Sequence, residues 1–257
     1  IKDITTKARF STNPVNTVKA AFQGLGMLKD PAEEFEKRRR KLAKLIGKDG
    51  IAVIPTASTR VRSRDTDYPY RPDSDFYYFT GFSEPNAVMI LAPRREDGSF
   101  IVCLREKNPL TEIWDGHMEG LSGVKKNYEA DQSFDIEDLE TILSSLFLGR
   151  QKVFFTLGQD EVLDKILMKS FNAVRAGQRR GGVVPSEIQA LEPLVHEMRL
   201  IKSKYEIGLM KKSAKISVDA HKRIFENCKP GVFEYQHEDD INNEFGKHGH
   251  AVSYPHL

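Results

Sequence analysis

The sequence predicts a layered α/β domain followed by a group of helices, on three observations. Short apolar runs at Ile51–Pro55, Ala87–Leu91, Phe100–Leu104 and Val153–Leu157 have the length and composition of buried strands. Between them lie stretches with apolar residues at helical spacing, over Glu33–Ile46, Ser133–Leu148 and Asp160–Phe171. Beyond Pro185 the pattern is helical, and the only strand expected there is the stub Val252–Tyr254. Strands alternating with helices favour a layered α/β domain over an all-helical or all-β one.

In the first helix, Phe35, Leu42, Leu45 and Ile46 share a side. The basic run Lys37–Lys41, set beside Glu33, Glu34 and Glu36, is expected to form a solvated face. A polar loop through Arg60, Arg62, Arg64 and Asp65 then leads into the densest local constraint, Asp67 to Val88, DYPYRPDSDFYYFTGFSEPNAV. Pro69 and Pro72 fix their own φ angles and bias Tyr68 and Arg71 towards extended backbone, so the entry to this stretch is a rigid turn. Asp73-Ser74-Asp75 offers short oxygen acceptors to nearby amides. The run Phe76–Phe79 is too short to show either period and is expected to be buried. Gly81 permits positive φ. Without further information such a stretch is most often a structural corner that wedges aromatics under a sheet.

The segment Glu112–Gly123 reads as a loop that carries the only tryptophan, Trp114. Gly149 ends the helix from Ser133. The composition changes to RAGQRRGGVVP between Arg175 and Pro185, which places a domain junction there. A short helix is expected over Pro193–Arg199. Ser203-x-x-Glu206 has the spacing of a capping box, and Ile207, Met210, Ala214, Val218, His221 and Phe225 fall on one side of the helix it starts. Lys229-Pro230-Gly231 breaks that helix. A last one, about Glu234–Lys247, is expected to bury Ile241 and Phe245.

The chain of 257 residues carries 39 basic and 37 acidic side chains, a formal net charge of +2, so nothing electrostatic calls for nucleic acid or an anionic membrane surface. No apolar run is long enough for a transmembrane helix. Cys103 and Cys228 make neither a disulfide framework nor a metal knuckle, and a reducing compartment is the simplest reading. The first 32 residues are expected to be a basic extension, whose Ser, Thr and Lys content suits either the end of a mitochondrial presequence or an ordinary basic tail.

His237, Asp240, Glu244 and His248 are spaced so that four metal-ligand types fall along one helical stripe. A charged stripe opposite Ile241 and Phe245 is equally what any amphipathic surface helix shows, so no metal is assigned to it. His196 and His221 are expected to be partly buried structural residues. No glycine-rich phosphate loop, nucleophile elbow or Cys–His pair is evident, and the residues alone define no complete active site.

The order of residues in YPYRPDSDFYYFTGFSEP, in Glu112-Ile113-Trp114, in VHEMRLIKS from Val195 to Ser203 and in KPGVFEY from Lys229 to Tyr235 resembles that of the aminopeptidase P, or Xaa-Pro aminopeptidase, family. The resemblance spans roughly Glu34 to Pro255. It implies a mixed-sheet domain of the creatinase and aminopeptidase P N-terminal type over 33–184, followed over 185–257 by the beginning of a truncated pita-bread α+β catalytic domain. It also implies an enzyme that removes an N-terminal residue preceding proline. Two metal ions, usually manganese, are held in the family by two Asp, one His and two Glu that come after the point where this chain stops. Ions roughly 3.5–4 Å apart activate a bridging hydroxide and polarise the scissile carbonyl.

By the same resemblance, Asp65 and Arg179 match a substrate-side acid and base pair, and Trp114 matches a tryptophan that one subunit extends into a neighbour's active site. The expected partners are peptides with proline second and further copies of the chain, as dimer or tetramer. The expected location is mitochondrial or cytoplasmic. No metal ligand is assigned within this chain, which is expected to be inert alone. Two alternatives stand beside this reading: a non-catalytic oligomerisation or regulatory partner of full-length subunits, and a prolidase-like dipeptidase or intermediate-cleaving processing peptidase.

Overall fold

The structure, a computed structural model, describes residues 32–177 and 183–248, and of residues 113–115 it describes the backbone only. Residues 1–31 of the basic extension, residues 178–182 of the Arg175–Pro185 junction and the stub Val252–Tyr254 lie outside the described residues. The chain divides into two compact units, and in described residues these are Ala32–Ile201 and Lys202–His248.

The first unit is built on a six-stranded sheet in the order β6-β5-β4-β1-β7-β8. Its strands are β1 Gly50–Pro55, β4 Val88–Leu91, β5 Phe100–Leu104, β6 Gln132–Asp135, β7 Lys152–Phe154 and β8 Glu187–Gln189, while β2 Val61–Ser63 and β3 Thr66–Asp67 form a separate hairpin. β1 pairs antiparallel with β4 and parallel with β7, β4 antiparallel with β5, and the pairs β5/β6 and β7/β8 are parallel.

Side-chain alternation along these strands feeds two cores. Ala52, Ile54, Met89, Leu91, Val102 and Leu104 point into one, which also holds Leu42, Phe76, Phe79 and Phe82. Ile51, Val53, Val88, Ile90, Ile101 and Cys103 point into the other, which holds Leu143, Phe147, Leu163, Leu167 and Phe171. A sheet buried on both faces reads as continuous apolar runs, which is why these strands were legible as runs rather than as alternations.

Helix α1, Ala32–Ile46, buries Phe35, Leu42 and Ile46, while Leu45 lies exposed. Its basic run is not wholly solvated: Arg38 and Arg39 are 7% and 5% exposed. Arg38 Nη1 donates to the Tyr78 carbonyl at 3.1 Å and Arg39 Nη1 to the Phe79 carbonyl at 2.9 Å. Both guanidiniums also stack on rings, Arg38 4.2 Å from the Tyr78 centroid and Arg39 4.0 Å from that of Phe100. The acceptors are at the end of helix α2, Ser74–Thr80, where a helix leaves carbonyls without internal partners.

The aromatic run is therefore helical. Asp73 Oδ1 accepts from the amides of Asp75 and Phe76, and Gly81 at φ 67° closes the helix in the left-handed region. A Cβ on Gly81 would come within 2.5 Å of the Phe35 ring, so the glycine also permits the close approach of α1.

The expected loop over 112–123 is instead two helices, α3 Pro109–Asp115 and α4 Gly120–Tyr128, joined by a turn at Gly116. The helix expected from Ser133 begins later: β6 takes Ser133–Asp135 into parallel pairing with β5, Asp135 caps a 3₁₀ turn, and α5 follows over Leu139–Phe147. Sheet pairing across 31 residues overrides the local helical spacing there. Helix α6, Glu161–Gly177, runs past Phe171 to bury Val174.

Contrary to the expectation of no strand near Pro185, β8 adds to the sheet beside β7. Helix α7, Glu192–Leu200, then places Val195 and Met198 in the first core. By packing, these elements belong to the first unit.

In the second unit, α8 spans Lys204–Asn227 and α9 Glu234–Lys247. The capping box at Ser203 is formed in both directions. The buried positions of α8 are Glu206, Ser213, Ile216 and Ala220, not the expected stripe, of which Ile207, Ala214, Val218 and Phe225 are exposed. Ile241 and Phe245 of α9 are only partly buried.

Arg39→Met removes a buried donor and leaves the Phe79 carbonyl unpaired, so it is expected to destabilise the first unit by about 1–3 kcal/mol. Arg40→Met, which loses an exposed pair with Glu36, is expected to change stability by less than about 0.5 kcal/mol. Urea unfolding of the two variants checks the contrast.

Candidate functional site

Asp65, one of the three residues singled out by resemblance, lies exposed in the turn of the β2–β3 hairpin, beside Arg64 at φ 47°. The hairpin's ends are tied by the Tyr68 amide donating to the Arg60 carbonyl at 2.9 Å. Two residues further on, Tyr70 anchors the chain. Its hydroxyl lies 2.6 Å from Thr56 Oγ1 and within 3.3 Å of the carbonyls of Ala57 and Glu84, and burial raises its pKa. The corner that the prolines predicted is thus a hub linking the end of β1, the hairpin and the Ser83–Pro85 turn.

Arg71 and Asp75 follow Tyr70 along this corner. Burial lowers the Arg71 pKa, and its Nη2 donates to Ser74 Oγ at 3.4 Å. Asp75 forms an ion pair with Arg199 of α7, and the Tyr78 hydroxyl donates to the Met198 carbonyl at 3.3 Å. Burial raises the Asp75 pKa, with Arg199 acting in the opposite direction. Neither partner was singled out from sequence, since nothing in a separation of 124 residues announces a pair.

Trp114 lies in α3, and its side chain is outside the description. The surrounding frame is described. Asn108 caps the helix by accepting from the Leu110 amide at 2.9 Å. The Glu112 carboxylate accepts from Lys107 Nζ at 2.9 Å and from the Met118 amide at 2.8 Å, and these two bonds hold its pKa below the usual range. Glu84 accepts from the Glu119 amide at 2.8 Å, and burial raises its pKa. These two glutamates were missed in the sequence, although Glu112 stands beside Trp114 in the quoted motif. Arg179, the third residue, lies outside the described residues.

Among the described residues no group of three or more His, Cys, Asp or Glu side chains could hold a metal ion. The stripe on α9 is committed elsewhere. Glu244 binds Arg223 at 3.1 Å and Lys247 at 3.0 Å, and Asp240 faces Arg223 at 3.5 Å. The described residues therefore do not fit a manganese pair. His196 and His221, expected to be partly buried, are both exposed, and His221 Nδ1 lies 2.7 Å from the Ser217 carbonyl one turn back. The Cys103 thiol is buried and pushed up to about 12, which makes it inert at neutral pH, and Cys228 is exposed. No described helix is long and apolar enough to cross a membrane.

With this geometry in hand, comparison with known proteins places the fold. Residues 35–155 match the family described as "Aminopeptidase P, N-terminal domain". A second description, "Ribosomal protein S5, C-terminal domain", matches residues 1–39, which overlap the described residues only at the start of α1. The chain is 35% identical over 224 residues to the Xaa-Pro aminopeptidase of Escherichia coli strain K12, covering 87% of this chain and 50% of that protein. It is 30% identical over 185 residues to the mitochondrial intermediate cleaving peptidase 55 of Arabidopsis thaliana, covering 72% and 35%. The solved structure of Pseudomonas aeruginosa aminopeptidase PepP superposes with a TM-score of 0.83 at 41% identity, covering 86% of this chain and 50% of that one.

The chain belongs to the aminopeptidase P family. Its sheet domain is the N-terminal domain of that architecture, and the helices after it correspond to the start of the catalytic domain. The chain spans about half the length of the bacterial relatives it matches.

Because burial raises the Asp75 pKa and Arg199 opposes that, Arg199→Met is expected to move it further up. A carboxyl whose folded pKa lies above its unfolded value binds more protons folded than unfolded. The variant's stability should therefore fall as pH rises from the ordinary carboxylate range through the raised value. NMR titration of Asp75 and denaturant unfolding at a series of pH values check both signs.

Proposed function

We propose that this chain supplies the N-terminal domain and the opening of the catalytic domain of a manganese-dependent Xaa-Pro aminopeptidase. The observation that carries the reading is the likeness over 86% of the chain to an aminopeptidase of which it covers half. The chain by itself is inert in this reading, and the two manganese ions belong to the remainder of the full-length protein. The domain division is read as 33–184 for the N-terminal domain and 185–257 for the opening of the catalytic one, a boundary that follows the composition change at Arg175–Pro185, whereas by packing β8 and α7 beyond it stay with the sheet unit.

Its own residues act on the substrate side. Asp65 and Arg179 form an acid and base pair towards the peptide, and Trp114 reaches the active site of a neighbouring subunit in a homo-oligomer. An exposed hairpin turn for Asp65 and a helix bounded by turns for Trp114 suit groups that meet something outside their own domain. Substrates are peptides with proline in the second position.

A second reading, an intermediate-cleaving processing peptidase, is favoured by the match to the Arabidopsis thaliana protein together with the basic composition of the first 32 residues. The two readings differ in substrate and in location, cytoplasmic for the first and mitochondrial for the second.

In the full-length protein, Trp114→Ala is expected to lower turnover of Xaa-Pro peptides on the order of tenfold, ~1.4 kcal/mol of barrier, with manganese content unchanged. Mixing Trp114→Ala subunits with metal-ligand variants should restore part of the activity. Mixed oligomers that form but stay inactive would remove the cross-subunit role.

A further inference from the structure

The segment that carries Trp114 leaves the sheet at Leu104 and returns to packed structure at Met118 and Gly120. Two glutamates close it. One oxygen of Glu112, Oε1, accepts from Lys107 Nζ at 2.9 Å and from the Met118 amide at 2.8 Å, with His117 Nδ1 at 3.4 Å. Lys107 lies before α3, whereas His117 and Met118 lie after it. A single carboxylate therefore ties the entering chain to the leaving chain.

The second tie is to a different part of the fold. Glu84 Oε1 accepts from the Glu119 amide at 2.8 Å, which fixes the exit of the segment against the turn that follows Phe82. The packing on either side agrees with a fixed base. Met118 is 4% exposed, Thr111 Oγ1 donates to its Sδ at 3.7 Å, and a Cβ on Gly120, at φ 63°, would meet the Lys107 Cβ at 2.7 Å. In contrast, Leu110 on α3 is 73% exposed. The base is thus clamped on the entering and the leaving side of α3.

We propose that Glu112 and Glu84 are positioning residues that clamp the base of α3 and so set where Trp114 is presented. The proposal rests on the reading of Trp114 as a group that acts beyond its own subunit. Neither glutamate touches substrate in this account. Glu112 works through charge and geometry together, because an alanine there frees the Met118 amide and releases Lys107, whereas a glutamine keeps an acceptor oxygen. Glu84 works through a partly buried hydrogen bond, which a neutral glutamine also preserves.

Trp114 is the only tryptophan, so tryptophan emission, excited to the red of the tyrosine band, reports on that position alone. Steady-state anisotropy is expected to fall in Glu112→Ala and in Glu84→Ala and to recover by more than half in Glu112→Gln and Glu84→Gln. It should be unchanged in Glu106→Ala, an exposed neighbour. Wild-type anisotropy in both alanine variants, with folding confirmed by circular dichroism, overturns the proposal.

If an alanine variant does not fold, hydrogen exchange of the unsubstituted chain decides. The Met118 and Glu119 amides should exchange at least about tenfold more slowly than an unstructured chain. Unprotected exchange at both overturns the clamp. None of these readouts depends on peptidase activity, so they fail separately from the Trp114→Ala assay.

Discussion

Two guanidinium groups under the aromatic corner hold the first unit's most unusual element in place. A seven-residue helix has too few internal hydrogen bonds to persist on propensity, and it survives by tertiary packing and by having its ends satisfied. Asp73 satisfies the start of α2, and Arg38 and Arg39 reach from α1 to the carbonyls at its end. Burial lowers the Arg39 pKa to about 10, with Glu129 the largest opposing charge, so the side chain stays protonated at neutral pH. A buried charge on that terms requires the ring faces and carbonyls it has, and Phe100 supplies the ring on the sheet side. The same contacts that fix α2 therefore fix α1 to the sheet.

The mixed pairing of the sheet explains where a presenting segment can be inserted. Antiparallel neighbours such as β4 and β5 can be joined by a loop without a crossover, here residues 92–99 with Gly98 at positive φ. The parallel pair β5 and β6 needs a crossover, and α4 supplies it by burying Val124 against the first core. Helix α3 is not needed for the crossover. It is an extra turn of chain ahead of α4, and among its described side chains Leu110 is exposed while Thr111 donates to the buried Met118. The ties at its base come from side chains rather than from strand pairing.

What the sequence made legible follows from the range of the interactions involved. Buried strands and amphipathic helices announce themselves within a window of ten or so residues, and β1, β4, β5, α1, α6 and the capping box at Ser203 were readable in that way. Elements decided by distant partners were not. Ser133–Asp135 becomes a strand because β5 offers a free edge, and Glu187–Gln189 because β7 does. Arg38 and Arg39 look solvated beside their acids until α2 supplies carbonyls 40 residues away. Of the site, Asp65 is placed on an exposed turn, but the glutamates that frame Trp114 act through backbone amides, which carry no sequence signature at all.

The segment Val195–Ser203 shows how one motif can serve two neighbouring structures. Val195 and Met198 fill the first core, Arg199 pairs with Asp75, and the Met198 carbonyl accepts from Tyr78, so this half is bound to the aromatic corner. Ser203 then caps α8 through its hydroxyl and receives the Glu206 side chain at its own amide, so the other half belongs to the next helix. The division between the two units, at Ile201 and Lys202, falls inside this motif. A change at Val195 or Met198 therefore acts on the sheet domain, while a change at Ser203 or Glu206 acts on the start of α8. The residues that made the family recognisable here are those whose packing and capping leave the backbone few alternatives.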